Sequence, residues 1–312
     1  MGKGFGLGKT VLVGDAFVQF GIPAIVAAIE QVTAAEVRQQ PGSGWTLEDL
    51  RPEIEGYKSS KLKQQGESVD RVLQAMGIDL DKTRIKITLG GDLLAGSGIG
   101  ASAAGCVALA RALNEEFNLS MTDDSLNRVA FEGEKAYHGD PGGVDNAAST
   151  FGGILWFQKN LSSQKDLIER IVPAAVLHVL LANSGVNVDT SRVISYKKER
   201  MNNHPEQFKA ALQASGEQAV QLRRSLERND LDRAGRIMDE HHQILRGLRF
   251  SHERIEAILK IARREGALGG KITGGGMGGY ALILTMDELH QGRVAEAIED
   301  KGFRTLKSRV LP

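Results

Sequence analysis

The chain has one cysteine in 312 residues, Cys106, which excludes an internal disulfide framework and any structural zinc site built on cysteines. Cys106 falls on the apolar side of a helical segment, where inert packing is expected of it rather than nucleophilic chemistry. There is no excess charge: 39 Lys and Arg balance 39 Asp and Glu. A neutral chain lacks the electrostatic footprint of a nucleic-acid or acidic-membrane partner, so neither is expected. Its basic runs, Lys58 to Lys63 and Lys197 to Arg200, are short and mixed, as on solvated faces. No apolar run reaches the length of about 18 residues that suggests a membrane span, and no charged start leads into an apolar signal core. The expectation is a reduced, cytoplasmic protein. Internal repeats, low-complexity tracts, H-E-x-x-H and G-x-S-x-G are also missing.

Proline is scarce at seven residues, whereas glycine reaches 37. Many glycines sit at 2–8, 90–100, 133–153 and 266–279, a recurrence that predicts several loops converging on one ligand. The most informative cluster is Gly96-Ser-Gly-Ile-Gly-Ala-Ser-Ala-Ala104. Upstream, Arg84 to Leu89 alternates polar and apolar residues, the period of a half-buried strand. Downstream, Cys106 to Phe117 reads as helix. A glycine-rich strand-to-helix turn lets backbone approach a ligand closely and aims free N–H groups and a positive dipole end at it, which suits a polyphosphate. Tight packing against a sheet is the other explanation of such a turn.

Gly8-Lys9-Thr10 looks like the end of a P-loop, but that motif needs glycine where Lys3 stands. Lys9 remains as a charge beside a glycine run, on a strand expected over 9–13. Glu134 lies near the end of a helix expected over 122–137, and Asp145 lies just past a Pro-Gly loop. Two such carboxylates could hold Mg²⁺ and orient a hydroxyl. Lys271-Ile-Thr-Gly-Gly-Gly-Met-Gly-Gly279 suggests a second backbone cradle. An apolar segment is expected over 17–29, an exposed excursion over 39–68, and strands over 151–157, 174–182 and 280–285. Helices are expected over 206–229, 231–248 (where His241 and His242 read as structural) and 252–265, with Ser251 as N-cap and Gly266 as stop. A domain boundary is expected near 170–175, giving units 1–172 and 173–312.

These segments, in this order, resemble the motifs of the GHMP kinase superfamily: Gly8-Lys9…Gly14-Asp15, Leu94 to Ala104, and Lys271 to Gly279. Within it the mevalonate kinase family is most similar. Gly133-Glu134, His138-Gly-Asp-Pro-Gly-Gly-Val-Asp-Asn146 and Ser149-Thr-Phe-Gly-Gly153 resemble that family's G-E…H-G-x-P-S-G-x-D-N…S-T-x-G-G. Asn183 to Val186 with Asp189 to Val193 resembles a further segment weakly.

The resemblance implies an α/β (α+β) fold of two domains, one like ribosomal protein S5 domain 2 and a C-terminal ferredoxin-like one. It implies ATP- and Mg²⁺-dependent phosphorylation of a small hydroxylated acid, mevalonate at its 5-hydroxyl, with a homodimer as a possible assembly. Asp145 would accept or hold the substrate hydroxyl proton, with Lys9 paired to it. Ser102 and Glu134 would bind Mg²⁺. Gly96, Ser97, Gly98, Gly100, Ala101, Ser102, Gly274, Gly275 and Gly276 would hold ATP. Asp15, Ala16, His138, Thr190 and Thr273 would lie toward the acceptor. Ala16 stands where the family has a substrate-holding His, Asp15 for Glu, Leu7 for Pro, Ala101 for Ser and Gly142 for Ser. None of these removes a proposed metal or phosphate group. The alternatives are a kinase of the superfamily for phosphomevalonate, a sugar or homoserine, or a silent nucleotide-binding relative.

Overall fold

The structure, a computed structural model, describes residues 1–162, 165–186 and 190–311. Two compact units emerge: Met1–Lys9 with Ala28–Gly152, and Thr10–Ala27 with Gly153–Pro312. Strands β1 (Gly2–Val13) and β2 (Ala24–Gln40) give residues to both.

The first unit continues with β3 (Gly44–Asp49), α1 (Tyr57–Ser60), α2 (Leu62–Ala75), β4 (Arg84–Gly91), α3 (Ala101–Glu116), α4 (Asp123–His138) and α5 (Val144–Phe151). β4 lies antiparallel to β2 over Thr33–Gln40 and parallel to β3. Alternation puts Ile85, Ile87 and Leu89 on one face of β4, where they pack with Val72, Val107, Leu113 and Val129 from the helices. Burial of this face supplies the main stabilisation of the unit. Thr122 caps α4 by accepting from the Ser125 N–H, and Asp123 and Asp124 fill its first turn, as the sequence predicts.

The glycines at the start of the chain do not form a ligand loop. They lie in β1 against α3. A Cβ on Gly2, Gly4 or Gly6 would fall 2.0, 2.3 or 2.2 Å from the carbonyl oxygen of Ala112, Ala108 or Ala104. Alternate strand positions therefore meet every fourth helix residue, and only glycine against alanine permits so short a separation.

The second unit holds β5 (Ile154–Gln158), β6 (Leu167–Ile171), β7 (Leu177–Asn183), α6 (Thr190–Asn203), α7 (Pro205–Glu227), α8 (Leu231–Gly247), α9 (Glu253–Arg264), β8 (Gly269–Thr273), β9 (Tyr280–Thr285), α10 (Glu288–Glu299) and β10 (Arg304–Val310). β5 pairs antiparallel with the start of β2 and with β6. The other sheet runs β10-β7-β9-β8, antiparallel throughout. That order, with helices between β7 and β8 and between β9 and β10, is the ferredoxin-like arrangement. Its core gathers Leu180, Phe208, Leu245, Phe250, Ile258, Ile272 and Ile283.

Several expectations are corrected. The segment expected as a boundary near 170–175 begins inside the end of β6, whose pairing with β5 places that strand in the second unit; the two units part at 9/10, 27/28 and 152/153. The start of the 17–29 segment is a 3₁₀ turn at Val18–Phe20, and the rest is β2. The 39–68 excursion, expected to hold helical pieces, carries α1 and the first half of α2 but also the strand β3. β8 takes the first three residues of the expected 271–279 cradle, with Gly269 at its start packed on Gly235 of α8. His252, not Ser251, caps α9, since its side chain accepts from the Arg254 N–H. Among the described residues, no helix is long and apolar enough to cross a membrane.

Candidate active site

In the first unit, four expected residues come together. Lys9 sits in the middle of β1, buried at 5% exposure. Its Nζ lies 3.1 Å from Asp145 Oδ1. Its backbone N–H donates to the Ile99 carbonyl at 2.8 Å, and the Gly100 backbone lies so close that a Cβ there would be 2.8 Å from Lys9 Cγ. The lysine stem thus forms one wall of the glycine-rich turn. Gly100 is also the N-cap of α3, with φ +84°, and Ala101 and Ser102 open the helix. The helix start therefore presents free N–H groups and a positive dipole end.

Asp145 is held from two sides. It lies in the first turn of α5. The next residue, Asn146, donates through Nδ2 to Asn127 Oδ1 at 2.6 Å, tying α5 to α4. Ser149 donates to the Leu7 carbonyl at 2.6 Å, tying α5 to β1. Arg111 of α3 bridges the same elements, donating to the carbonyls of Phe5 and Thr150.

Glu134 faces this pair from the last turn but one of α4, its side chain 2% exposed. Burial and then the charge of Asp145 push its carboxyl up to about 8, against a hydrogen bond from Ser102 and the charge of Lys9. His138, one helical turn on, places Nε2 3.7 Å from Glu134 Oε2, and burial holds its imidazole below the usual range. Glu134 Oε1 and Ser97 Oγ are buried without a hydrogen-bond partner. Gly98 is open, with nothing within 4 Å of where a Cβ would stand.

One carboxylate and hydroxyl oxygens beside a helix start form a hard-donor set. They fit Mg²⁺ that takes its remaining ligands from phosphate and water. Among the described residues, no group of three His, Cys, Asp or Glu could hold a metal alone. The unpartnered Glu134 oxygen and the open backbone at Gly98 fit a bound nucleotide phosphate with its cation.

In the second unit, Asp15 is occupied rather than free. Its Oδ2 lies 2.8 Å from Lys271 Nζ and accepts from the Gly274 N–H at 3.1 Å; Oδ1 lies 3.5 Å from His241 Nε2. Burial opposes ionisation, but the Lys271 ammonium and then His241 hold the Asp15 carboxyl well below the usual carboxylate range. Lys271 Nζ also donates to the Val11 and Ile272 carbonyls. Thr273 Oγ1 is engaged too, accepting from the Val11 N–H at 3.0 Å and from the Thr10 hydroxyl at 3.2 Å. Ala16 is a buried member of the cluster that holds Phe17 and Leu180. A small apolar side chain suits that cluster, where an imidazole would need a partner.

The turn carrying Gly274, Gly275 and Gly276 is pinned: Met277 N–H donates to the Phe250 carbonyl at 2.7 Å and Gly279 N–H to Val186. The side chain of Thr190 lies outside the described residues, as does all of Asp189. Reading by motif passed over Lys271 and His241 as partners of Asp15. The signal available was a Lys two residues before the Thr-Gly turn and a His facing the core side of α8.

Comparison with known proteins bears on this geometry. The GHMP kinases N terminal domain matches residues 66–153 and the GHMP kinases C terminal model matches 222–304. The mevalonate kinase of Aeropyrum pernix is 30% identical over 304 residues, covering 94% of this chain and 90% of that one. The chain belongs to the GHMP kinases, in the mevalonate kinase family. A solved structure, L. major mevalonate kinase in complex with R-mevalonate, superposes with TM-score 0.93 at 34% identity, covering 100% of this chain and 96% of the other. The Arabidopsis thaliana mevalonate kinase is 30% identical over 237 residues, 70% of this chain and 61% of its own length. Membership makes the protein an ATP-using kinase, a phosphotransferase with an alcohol group as acceptor, on the two-domain fold of its family.

Proposed function

We propose that the protein transfers the γ-phosphoryl group of ATP to the 5-hydroxyl of mevalonate, with Mg²⁺ as the metal. The observation that carries the chemistry is the ion pair between buried Lys9 and half-buried Asp145, set against the start of α3 and beside Glu134. The acceptor is taken from the relatives, including one solved with R-mevalonate bound.

Asp145 takes the role of holding the 5-hydroxyl and receiving its proton. The bond to form is between the 5-oxygen and the γ-phosphorus, the bond to break joins that phosphorus to the β–γ bridging oxygen of ATP, and the proton leaves through Asp145. Lys9 fixes the carboxylate by its 3.1 Å contact and offsets negative charge as the transfer proceeds. The backbone N–H groups of Gly98, Gly100, Ala101 and Ser102, with Gly96 and Ser97 in the same loop, hold phosphate oxygens; the Ser97 N–H itself closes the turn on the Leu94 carbonyl at 3.3 Å. Glu134 and Ser102 would hold Mg²⁺, which would neutralise phosphate charge when bound. Phosphoryl transfer asks little covalent work of a protein, so positioning and charge carry the rate.

In the second unit, backbone at Gly274, Gly275 and Gly276 serves the nucleotide. Asp15 and Thr273 act through the turn that they anchor rather than by free side-chain contact. His138, half-buried beside Glu134, and Thr190 remain on the acceptor side of the proposal.

The test is coupled ADP release with Mg·ATP against mevalonate, phosphomevalonate, galactose and homoserine. Turnover confined to mevalonate supports the reading; turnover confined to another acceptor replaces it. Asp145→Asn should retain ATP binding and lose about three or more orders of magnitude in kcat, the scale of a positioned proton acceptor together with its orienting role. Near-normal turnover would remove Asp145 from that role.

A further inference from the structure

We propose that Arg51 is a positioning residue for the phosphate-binding turn, acting through the Ala101–Ser102 peptide. The proposal rests on that turn being the nucleotide cradle. Arg51 lies in the 39–68 segment that reads from sequence as an exposed excursion, yet it is only 6% exposed. Its Nη1 donates to the Ala101 carbonyl at 3.3 Å. Its Nε and Nη2 take both oxygens of Asp49, at 2.9 and 2.7 Å. Gln65 of α2 donates to Asp49 Oδ2 at 2.6 Å, so the fork is held by a second element.

The same segment grips the turn along its length. Lys58 Nζ donates to the carbonyls of Asp49 and Arg51, at 3.0 and 2.8 Å. Ala95 N–H donates to the Pro52 carbonyl at 2.8 Å, and Ile54 N–H to Ala95 at 3.0 Å. The Tyr57 ring lies where a Cβ on Gly96 would stand, 2.6 Å away, which sets the floor under the first glycine of the turn.

A trans peptide is planar, so its carbonyl oxygen and its N–H point in opposite directions. Arg51 holds the Ala101 oxygen and thereby aims the Ser102 N–H toward the open side of the helix start. Ser102 also hydrogen-bonds Glu134, so one guanidinium sets the orientation of both the amide and the hydroxyl-bearing residue. Only a fork can hold Asp49 through two nitrogens while a third nitrogen reaches the helix. The 39–68 segment is therefore a buttress of the cradle.

ADP binding by calorimetry, steady-state KM values for both substrates, and melting curves of wild type, Arg51→Ala and Arg51→Lys test this. Arg51→Ala should weaken ADP binding and raise KM for ATP about 10- to 100-fold, the scale of one lost charge-assisted hydrogen bond. KM for the acceptor should stay within about twofold. Arg51→Lys should not restore binding, whereas millimolar methylguanidinium should restore part of it to Arg51→Ala and none to Arg51→Lys. If Arg51→Ala fails to fold, Arg51→Lys and Asp49→Asn, which loosens the fork from its other end, must still raise KM for ATP selectively. Unchanged nucleotide affinity in a folded variant, or both KM values rising together, overturns the proposal. A wild type that binds ADP but ignores mevalonate overturns the acceptor assignment and leaves this test standing, because it is read on nucleotide binding.

Discussion

Replacing Lys271 with methionine should cost about 3–5 kcal/mol of folding stability, the scale for removing one partner of a buried ion pair. Lys271 is fully buried and Asp15 is 2% exposed, so solvent screens neither charge. Without the ammonium, Asp15 keeps only the Gly274 N–H and a neutral imidazole 3.5 Å away. Burial, with the Lys271 charge, holds His241 below the usual range; in the variant the burial remains to oppose a charged imidazole. Asp15→Asn should cost less, about 1–3 kcal/mol, because Lys271 Nζ retains the Val11 and Ile272 carbonyls as acceptors. In the double variant neither charge is stranded, so its cost should fall below the sum of the singles by about 2 kcal/mol or more. Urea unfolding at pH 7, followed by the fluorescence of Trp45 and Trp156, measures all three. The sign of the pH dependence supports that choice of pH. A carboxyl whose folded pKa is depressed contributes fully above its unfolded value, here 3.8, and loses its contribution as pH falls through the folded value. An additive cycle, or a Lys271→Met cost under about 1 kcal/mol, would refute the reasoning.

Glu134 behaves in the opposite sense. Its carboxyl is raised from 4.5 to about 8, so the folded protein binds more protons than the unfolded chain between those values. In chelator, wild-type stability should fall as pH rises from 4.5 toward 8, by at most about 5 kcal/mol at 1.36 kcal/mol per unit. Glu134→Gln should flatten that fall in denaturant titrations at pH 5 and pH 8; parallel profiles would contradict the burial argument. Gly4→Ala should destabilise by about 1–3 kcal/mol, as its Cβ would meet the Ala108 carbonyl at 2.3 Å. Because the clash is with backbone, Ala108→Gly should not rescue it, and rescue in thermal melts would show that the strand and helix can separate.

Much of the fold was legible because its elements carry local signals. The alternation at Arg84 to Leu89, the Thr122 cap with its acidic first turn, and the three amphipathic helices after 205 all appear where periodicity places them. What escaped depends on distant partners. Gly2, Gly4 and Gly6 read as a loop because nothing in their own neighbourhood reveals α3, about a hundred residues away, as the surface they must approach. β6 escaped because a short strand with charged residues resembles a linker until β5 is beside it. At the site, Lys9, Ser102, Glu134 and Asp145 could be picked out by motif, and the structure brings them together. Asp15 and Ala16 could be picked out only as departures. Their roles follow from Lys271, His241 and the Phe17 core, which are contacts that spacing does not encode.

The most direct test of the central claim is the identity of the product. Phosphorus NMR of a reaction with Mg·ATP and mevalonate should show a new phosphomonoester coupled to the two C5 protons, formed in equal amount to ADP. ADP accompanied by inorganic phosphate, or a phosphoester on any other acceptor in preference to mevalonate, would contradict it.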